Sequence, residues 1–211
     1  MKHIEKKAPP RSFTEHIPSS GKWAEFSRTR KKHTKQYMLE QEQNHLCCYC
    51  EKNIKGADAH IEHIRPKRDY PELTFEYSNL LVSCQGTHCS PDEEDTTVYI
   101  CGHKKDSNFD EDLFLDPSQL RDISAYFEFD DNGGISPSAK DPIKASYMIN
   151  LLQLNEPQLA QSRENVAKGI RINLMKAGAN PASRQKLKTI LANESQDFIS
   201  FLRHYFNPIV S

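Results

Sequence analysis

Cys47-Cys48-Tyr49-Cys50 sets two thiols three residues apart on a short segment, and Cys84, Cys89 and Cys101 offer further thiols downstream. A tetrahedral all-thiolate zinc site takes two ligands from a tight turn and two from a distant segment, so the chain must fold to bring these stretches together. Cys101 is the preferred fourth ligand beside Cys47, Cys50 and Cys84, with Cys89 as the alternative and Cys48 as a bystander. A redox pair would need a strand before the Cys-x-x-Cys and a helix after it. Here helix-forming residues precede it and Glu51-Lys52-Asn53-Ile54-Lys55-Gly56 follows. The first residues, Met1-Lys2-His3-Ile4-Glu5-Lys6-Lys7, have no apolar stretch behind their charges. The expectation is a cytoplasmic protein whose six cysteines serve as thiols or metal ligands rather than disulfides.

Length allows one core, or a small catalytic module with a helical companion: 211 residues, of which 36% are hydrophobic and 27% charged. That composition excludes a disordered chain, and no run is long enough to cross a bilayer. The net charge of -1 is uninformative, but residues 1–40 hold ten Lys/Arg against four Asp/Glu. Such an arm can follow a phosphate backbone, although a solvated helix face is the commoner use of a charge run.

Pro9-Pro10 and Pro18-Ser19-Ser20-Gly21 predict an extended start lying over the surface, with order beginning near Trp23. Lys22 to Asn44 lacks Pro and Gly and predicts a helix running into Cys47. Cys89 to Asp95 is acidic and reads as an inserted loop. Tyr126 to Ile135, with Asp131-Asn132-Gly133-Gly134 at its centre, predicts a β-hairpin ending at Ser136-Pro137. Helices are expected over Pro142–Gln153, with Ala145, Met148, Ile149 and Leu152 on one face, and over Glu156–Lys176 with Asn155 as the N-cap. Two more are expected at Pro181–Ala192 and Gln196–Phe206. The resulting class is α+β and mostly helical. It divides into an N-terminal basic arm and helix (1–45), a zinc-braced module (46–116), and a hairpin with a helical region suited to docking a partner (117–211).

The chemistry gathers in the middle. In His60-Ile61-Glu62-His63-Ile64-Arg65-Pro66, Glu62 offers a hard oxygen for Mg2+ or Mn2+, and His63 can accept a proton from water near neutral pH. Neighbouring side chains on a strand face opposite ways, so the pair requires a distortion, which Pro66 makes plausible. Asn79 stands at the mouth of the apolar run Leu80-Leu81-Val82, which ends at Cys84, and His103 follows two residues after Cys101. His60 can take part in metal binding or hydrogen-bond within the core, the structural role being favoured. Lys67, Arg68 and Lys104 are candidates for flanking phosphates or plain surface.

The ordered set Cys-x-x-Cys-Glu, His-Ile-Glu-His-Ile-Arg-Pro-Lys, Tyr-Pro-Glu-Leu-Thr-Phe, Ser-Asn-Leu-Leu-Val-Ser-Cys and Cys-Gly-His-Lys-Lys-Asp resembles the HNH endonuclease family. Within it the set is similar to the PtuB nucleases of Septu and retron-associated anti-phage systems. The resemblance runs from Cys47 to Asp106 and departs from the pattern between Gln85 and Ile100. It implies a ββα-metal core in which His63 activates water, Glu62 and His103 hold the catalytic cation, and Asn79 orients the motif. It also implies nucleic acid as substrate, DNA before RNA such as tRNA, and control by the ABC-type ATPase PtuA, with a retron reverse transcriptase and its DNA as further partners. Two rivals stand beside it. A non-catalytic zinc-ribbon binding module explains the cysteines but not Glu62, His63 and His103. A zinc deaminase carries His-x-Glu before Pro-Cys-x-x-Cys, the reverse of the order here.

Overall fold

In a computed structural model, which describes residues 1–54, 59–89, 97–178 and 180–210, the first long helix is shorter than its sequence pattern. After a four-residue helix α1 (Arg11–Thr14) and a 3₁₀ turn at Trp23–Glu25, helix α2 spans Arg28–Gln41 rather than starting at Lys22. Ser27 sets the start, because its side chain accepts the Arg30 N–H at 3.2 Å and caps the first turn. The end is set by Asn44 and His45, both at positive φ, where the His45 N–H returns to the Leu39 carbonyl at 2.8 Å. Thr34, Met38 and Leu39 form the buried face.

Strands β1 (Ala59–His63) and β2 (Leu80–Cys84) pair antiparallel, with Glu62 opposite Leu81 and His63 opposite Leu80. The amide of Gln43 serves Val82 as a substitute strand: Val82 N–H donates to Oε1 at 2.7 Å and Nε2 donates to the Val82 carbonyl at 2.8 Å. Strands β3 (Thr87–Cys89) and β4 (Thr97–Tyr99) form a second pair leading into the short helix α3 (Cys101–Lys105). The expected loop Cys89–Asp95, and the side chain of Cys89, fall outside the described residues.

Strands β5 (Phe127–Phe129) and β6 (Ile135–Pro137) make the predicted hairpin. Helices α4 (Pro142–Leu151), α5 (Pro157–Ala177), α6 (Pro181–Ala192) and α7 (Ile199–Val210) follow. Ala145, Met148, Ile149 and Leu152 are all buried, as the periodicity requires. The cap of α5 is Glu156, which accepts the Leu159 N–H at 2.9 Å, and not Asn155. Asn155 instead exchanges two hydrogen bonds with the backbone of Ile135, at 2.7 and 2.6 Å, and clamps the hairpin to α5. Among the described residues no helix is long and apolar enough to cross a membrane.

The N-terminal stretch runs over the surface as expected but is anchored in the core at three points. Met1, Ile4 and Phe13 are buried, and the Ile4 N–H bonds to the Pro117 carbonyl at 2.8 Å. Lys6 reaches Glu42 Oε2 at 2.6 Å and the Leu80 carbonyl at 2.9 Å, so its charge is used inside the protein. The N-terminal ammonium lies 2.9 Å from Glu51 Oε1, whose side chain also takes the Ser200 N–H at 2.8 Å and hydroxyl at 2.5 Å. Burial by itself would raise the Glu51 carboxyl, but the ammonium and Ser200 outweigh it and hold the group below its usual range.

Glu51→Gln is expected to cost about 3–5 kcal/mol, the range for breaking a buried ion pair, in urea unfolding at pH 7. Because the folded carboxyl is held low, its stabilisation is complete above the unfolded pKa of about 4.3 and is lost as pH falls through the folded value. The difference between the two proteins should therefore shrink below about pH 4.

Candidate active site and metal centre

Three segments deliver four thiols to one point. Leu46 and Asn53 bridge across a narrow turn, and within it the Glu51 N–H returns to the Cys47 carbonyl at 3.1 Å, presenting Cys47 and Cys50 on one side. Cys84 ends β2, and Cys101 opens α3 with φ at 55°. The Sγ atoms of Cys47, Cys50, Cys84 and Cys101 are buried and lie within 4.8 Å of one another. All five described cysteines are free, Cys48 being buried outside this group.

The donor set fits zinc. Zn–S bonds of about 2.3 Å in a tetrahedron place sulfurs about 3.8 Å apart. Cys50 Sγ and Cys84 Sγ stand 3.9 Å apart, far beyond a disulfide. The Cys84 N–H points at Cys47 Sγ at 3.3 Å, a bond that favours a thiolate. Burial opposes ionisation of Cys47, yet hydrogen bonds from Cys101, Cys48, Cys50 and Cys84 pull it well below the usual thiol range. Burial and the hydrogen bonds with Cys47, Cys50 and Cys84 push Cys101 up. Thiols crowded like this ionise together only around a cation.

The same α3 that begins at Cys101 covers the face of β1 carrying Glu62. His60 and Glu62, two residues apart, share that face, and His60 Nε2–H donates to Glu62 Oε2 at 3.3 Å. Glu62 Oε1 receives Lys105 Nζ at 3.0 Å and Tyr49 OH at 3.3 Å. Lys105 is fully buried and also donates to the His63 carbonyl at 3.0 Å. Burial works against the Glu62 charge, but His60 and Lys105 prevail and keep its carboxyl low. His103 lies with its ring stacked on that of His60, centres 4.5 Å apart and planes at 29°.

His63 ends the strand and points the other way from Glu62 as strand geometry demands, yet both line one cleft of about 470 Å³ with His60, His103 and Lys67. The contact of Nε2 with the Thr74 carbonyl, at 3.0 Å, fixes the tautomer. A carbonyl only accepts, so Nε2 carries the proton and Nδ1 the lone pair, which Lys67 Nζ meets at 3.4 Å. Burial and then the Lys67 charge pull the imidazole down to about 4, so it is neutral at pH 7. The edge of the Trp23 ring system packs on it at 88°, centres 4.7 Å apart.

Asn79 secures the loop behind His63. Its Oδ1 accepts the Arg65 N–H at 2.8 Å, and its Nδ2 donates to the carbonyls of Arg65 and Leu73 at 3.1 and 3.2 Å. Of the basic candidates, Lys67 and Arg68 line the cleft. Lys105, Thr74, Gly102 and Trp23 were not read as site residues. Thr74 contributes only a carbonyl, which no side-chain pattern reports. Lys105 had a signal in its i,i+4 spacing from Cys101, which puts it on the buried side of α3.

No family model matches the chain. Over 129 residues it is 33% identical to a Vibrio cholerae serotype O1 biovar El Tor protein whose name gives it as a candidate HNH endonuclease of retron Vc95. The matched stretch spans 58% of this chain and 58% of the length of that relative. That likeness supports the HNH endonuclease family.

Elemental analysis is expected to find about one zinc per chain, the content of one four-thiolate site. Cys84→Ser and Cys101→Ser should release it and unfold the protein in thermal melts, since structural zinc supplies roughly 10–16 kcal/mol of apparent binding energy. Cys48→Ser and Cys89→Ser should keep it.

Proposed function

We propose that the chain is a metal-dependent endonuclease of the HNH type that hydrolyses phosphodiester bonds. The observation that carries this is His63: neutral, its Nε2–H spent on the Thr74 carbonyl and its Nδ1 lone pair turned into a cleft shared with Glu62, His60 and His103. Burial alone would lower the pKa of a core histidine, so what marks His63 is its place: it lines the cleft beside Glu62, uncharged at pH 7, with Nδ1 unprotonated and met by Lys67.

In this reading His63 Nδ1 takes a proton from water as the water oxygen bonds to phosphorus, and the bond from phosphorus to the 3′ oxygen breaks. Lys67, whose Nζ lies 3.4 Å from Nδ1, would exchange that contact for one with the scissile phosphate and offset the charge that builds on it. Glu62, with a histidine of the cleft, would hold Mg2+ or Mn2+, which stabilises the phosphorane and the departing oxygen. Lys105 and Tyr49 keep the Glu62 carboxylate in place, and Asn79 keeps the loop behind His63 from opening.

The biological reading is coarser in its support. The relative's name places that protein in a retron, and the motif set resembles PtuB. On those grounds we propose a toxic effector of anti-phage defence that acts on DNA, with tRNA as the alternative substrate. Its activity would be released through the ATPase PtuA and a retron reverse transcriptase with its DNA.

His63→Ala should lower cleavage of plasmid, single-stranded DNA or tRNA in Mg2+ or Mn2+ by about 10²–10⁴-fold, the usual contribution of a general base, while zinc content and melting temperature hold. If wild type cuts none of these with or without the ATPase, the zinc-ribbon binding module is the better description. Asn79→Ala leaves the Arg65 N–H unsatisfied, so a loss of about 1–3 kcal/mol in urea unfolding is expected together with weaker cleavage.

A further inference from the structure

We propose that the protein ligands of the divalent cation in this cleft are His60 and Glu62, and that His103 is a stacking wall rather than a ligand. This rests on the nuclease reading for the presence of a cation and adds the identity of the residues that hold it.

The strand pleat places His60 and Glu62 on one face, with Nε2 and Oε2 3.3 Å apart. Neighbouring ligands of an octahedral ion with bonds of about 2.1 Å stand about 3.0 Å apart, so this pair already has nearly the bite of a chelate. Oε1 is occupied by Lys105 and Tyr49, which leaves Oε2, the oxygen on the His60 side, as the open donor. A cation would take the place of the Nε2 proton between them.

Helix α3 makes room for this pair by carrying glycine at its point of closest approach. A Cβ on Gly102 would fall 2.6 Å from Glu62 Oε2 and 2.7 Å from His60 Nε2. No side chain from that position can reach into the pair, and His60 fills the space from the strand. His103, one residue on, is turned around the helix so that its ring lies against the face of His60, with Tyr99 tilted against its own ring at 6.0 Å. Imidazole lone pairs lie in the ring plane. With ring centres 4.5 Å apart and planes only 29° from parallel, an ion about 2.1 Å from a nitrogen of one ring lies well out of the plane of the other. Replacing the Nε2 proton of His60 by an ion breaks one hydrogen bond, that to Glu62. The His60 Nδ1 is buried and has no hydrogen-bond partner, so stacking and the contact with Glu62 hold the ring.

The test is titration calorimetry of Mn2+ into the zinc-loaded full chain without nucleic acid. Wild type should bind one Mn2+. His60→Ala, Glu62→Ala and Gly102→Ala should each weaken binding by more than about 100-fold, beyond the range of an outer-shell loss, whereas His103→Ala should stay within about 3-fold. His60→Asp, which supplies an oxygen donor from the same position, should retain binding, and zinc content with melting curves shows that each variant is folded. Loss of binding in His103→Ala with retention in His60→Ala overturns the assignment, as does absence of Mn2+ binding in wild type. Neither result touches the nuclease reading, which stands on cleavage and its loss in His63→Ala. Conversely, a His60-dependent Mn2+ site in a chain that cuts nothing keeps the assignment and removes the nuclease.

Discussion

The four thiols join segments that the backbone alone would leave apart: the turn after α2, the end of β2 and the start of α3. What depends on them is the placement of α3. That helix is only five residues long, too short to hold its own shape in water, and it contributes Gly102, His103 and Lys105 to the neighbourhood of Glu62. Cys101 sits at positive φ, a conformation that a non-glycine residue keeps only where its surroundings insist on it. Its N–H is bound to the Leu152 carbonyl at 2.9 Å and the Gly102 N–H to Ser83 Oγ at 3.0 Å, so the turn entering α3 is pinned to α4 on one side and β2 on the other. The four-thiol site and the cleft at Glu62 and His63 are thus two ends of one short lever.

Buried carboxylates carry the second layer of organisation. Glu42, Glu51 and Glu62 are all buried, and each meets a cation from elsewhere in the chain: Lys6, the N-terminal ammonium and Lys105. Each also takes a hydroxyl, from Tyr77, Ser200 and Tyr49 in turn. A lone buried charge is too costly to persist, so these arrangements act as registration pins more than as sources of net stability. Their geography is telling. Glu42 fastens the N-terminal stretch to α2, Glu51 fastens it to the turn bearing Cys50 and to α7, and Glu62 fastens β1 to α3.

These pins explain which parts of the molecule were legible in the sequence. Cysteine spacing, the Glu62-His63 pair and Asn79 are local signals tied to specific chemistry, and the hairpin and the buried face of α4 follow from periodicity. The N-terminal stretch misleads because Met1, Ile4 and Phe13 follow no period and prolines surround Phe13, so their burial is invisible to pattern reading. Of its lysines, Lys6 is committed to Glu42 and Lys2 to Glu194, whereas Lys7, Arg11 and Lys22 stay exposed. Asn155 fails as a cap for a related reason: its amide is better used satisfying both backbone groups of Ile135, while Glu156 with Pro157 behind it can close the helix start. Lys105 was hidden in a run of like residues, where charge suggests surface and only helical spacing from Cys101 suggests otherwise.

The Glu62 site shows why one carboxylate can suffice. Lys105 offsets its charge on Oε1 and Lys67 adds another cation nearby, so the protein around the cleft is close to neutral or positive before any divalent ion arrives. On the proposed nuclease reading, a dication held there by Glu62 and His60 would gain further from an anionic phosphate. A neutral His63 fits the proposed reading, since a protonated imidazole would add one more positive charge and lack the lone pair that a general base uses. Burial, Lys67 and the Thr74 carbonyl act on the same ring from different sides, the first two keeping it uncharged and the third keeping the lone pair on Nδ1.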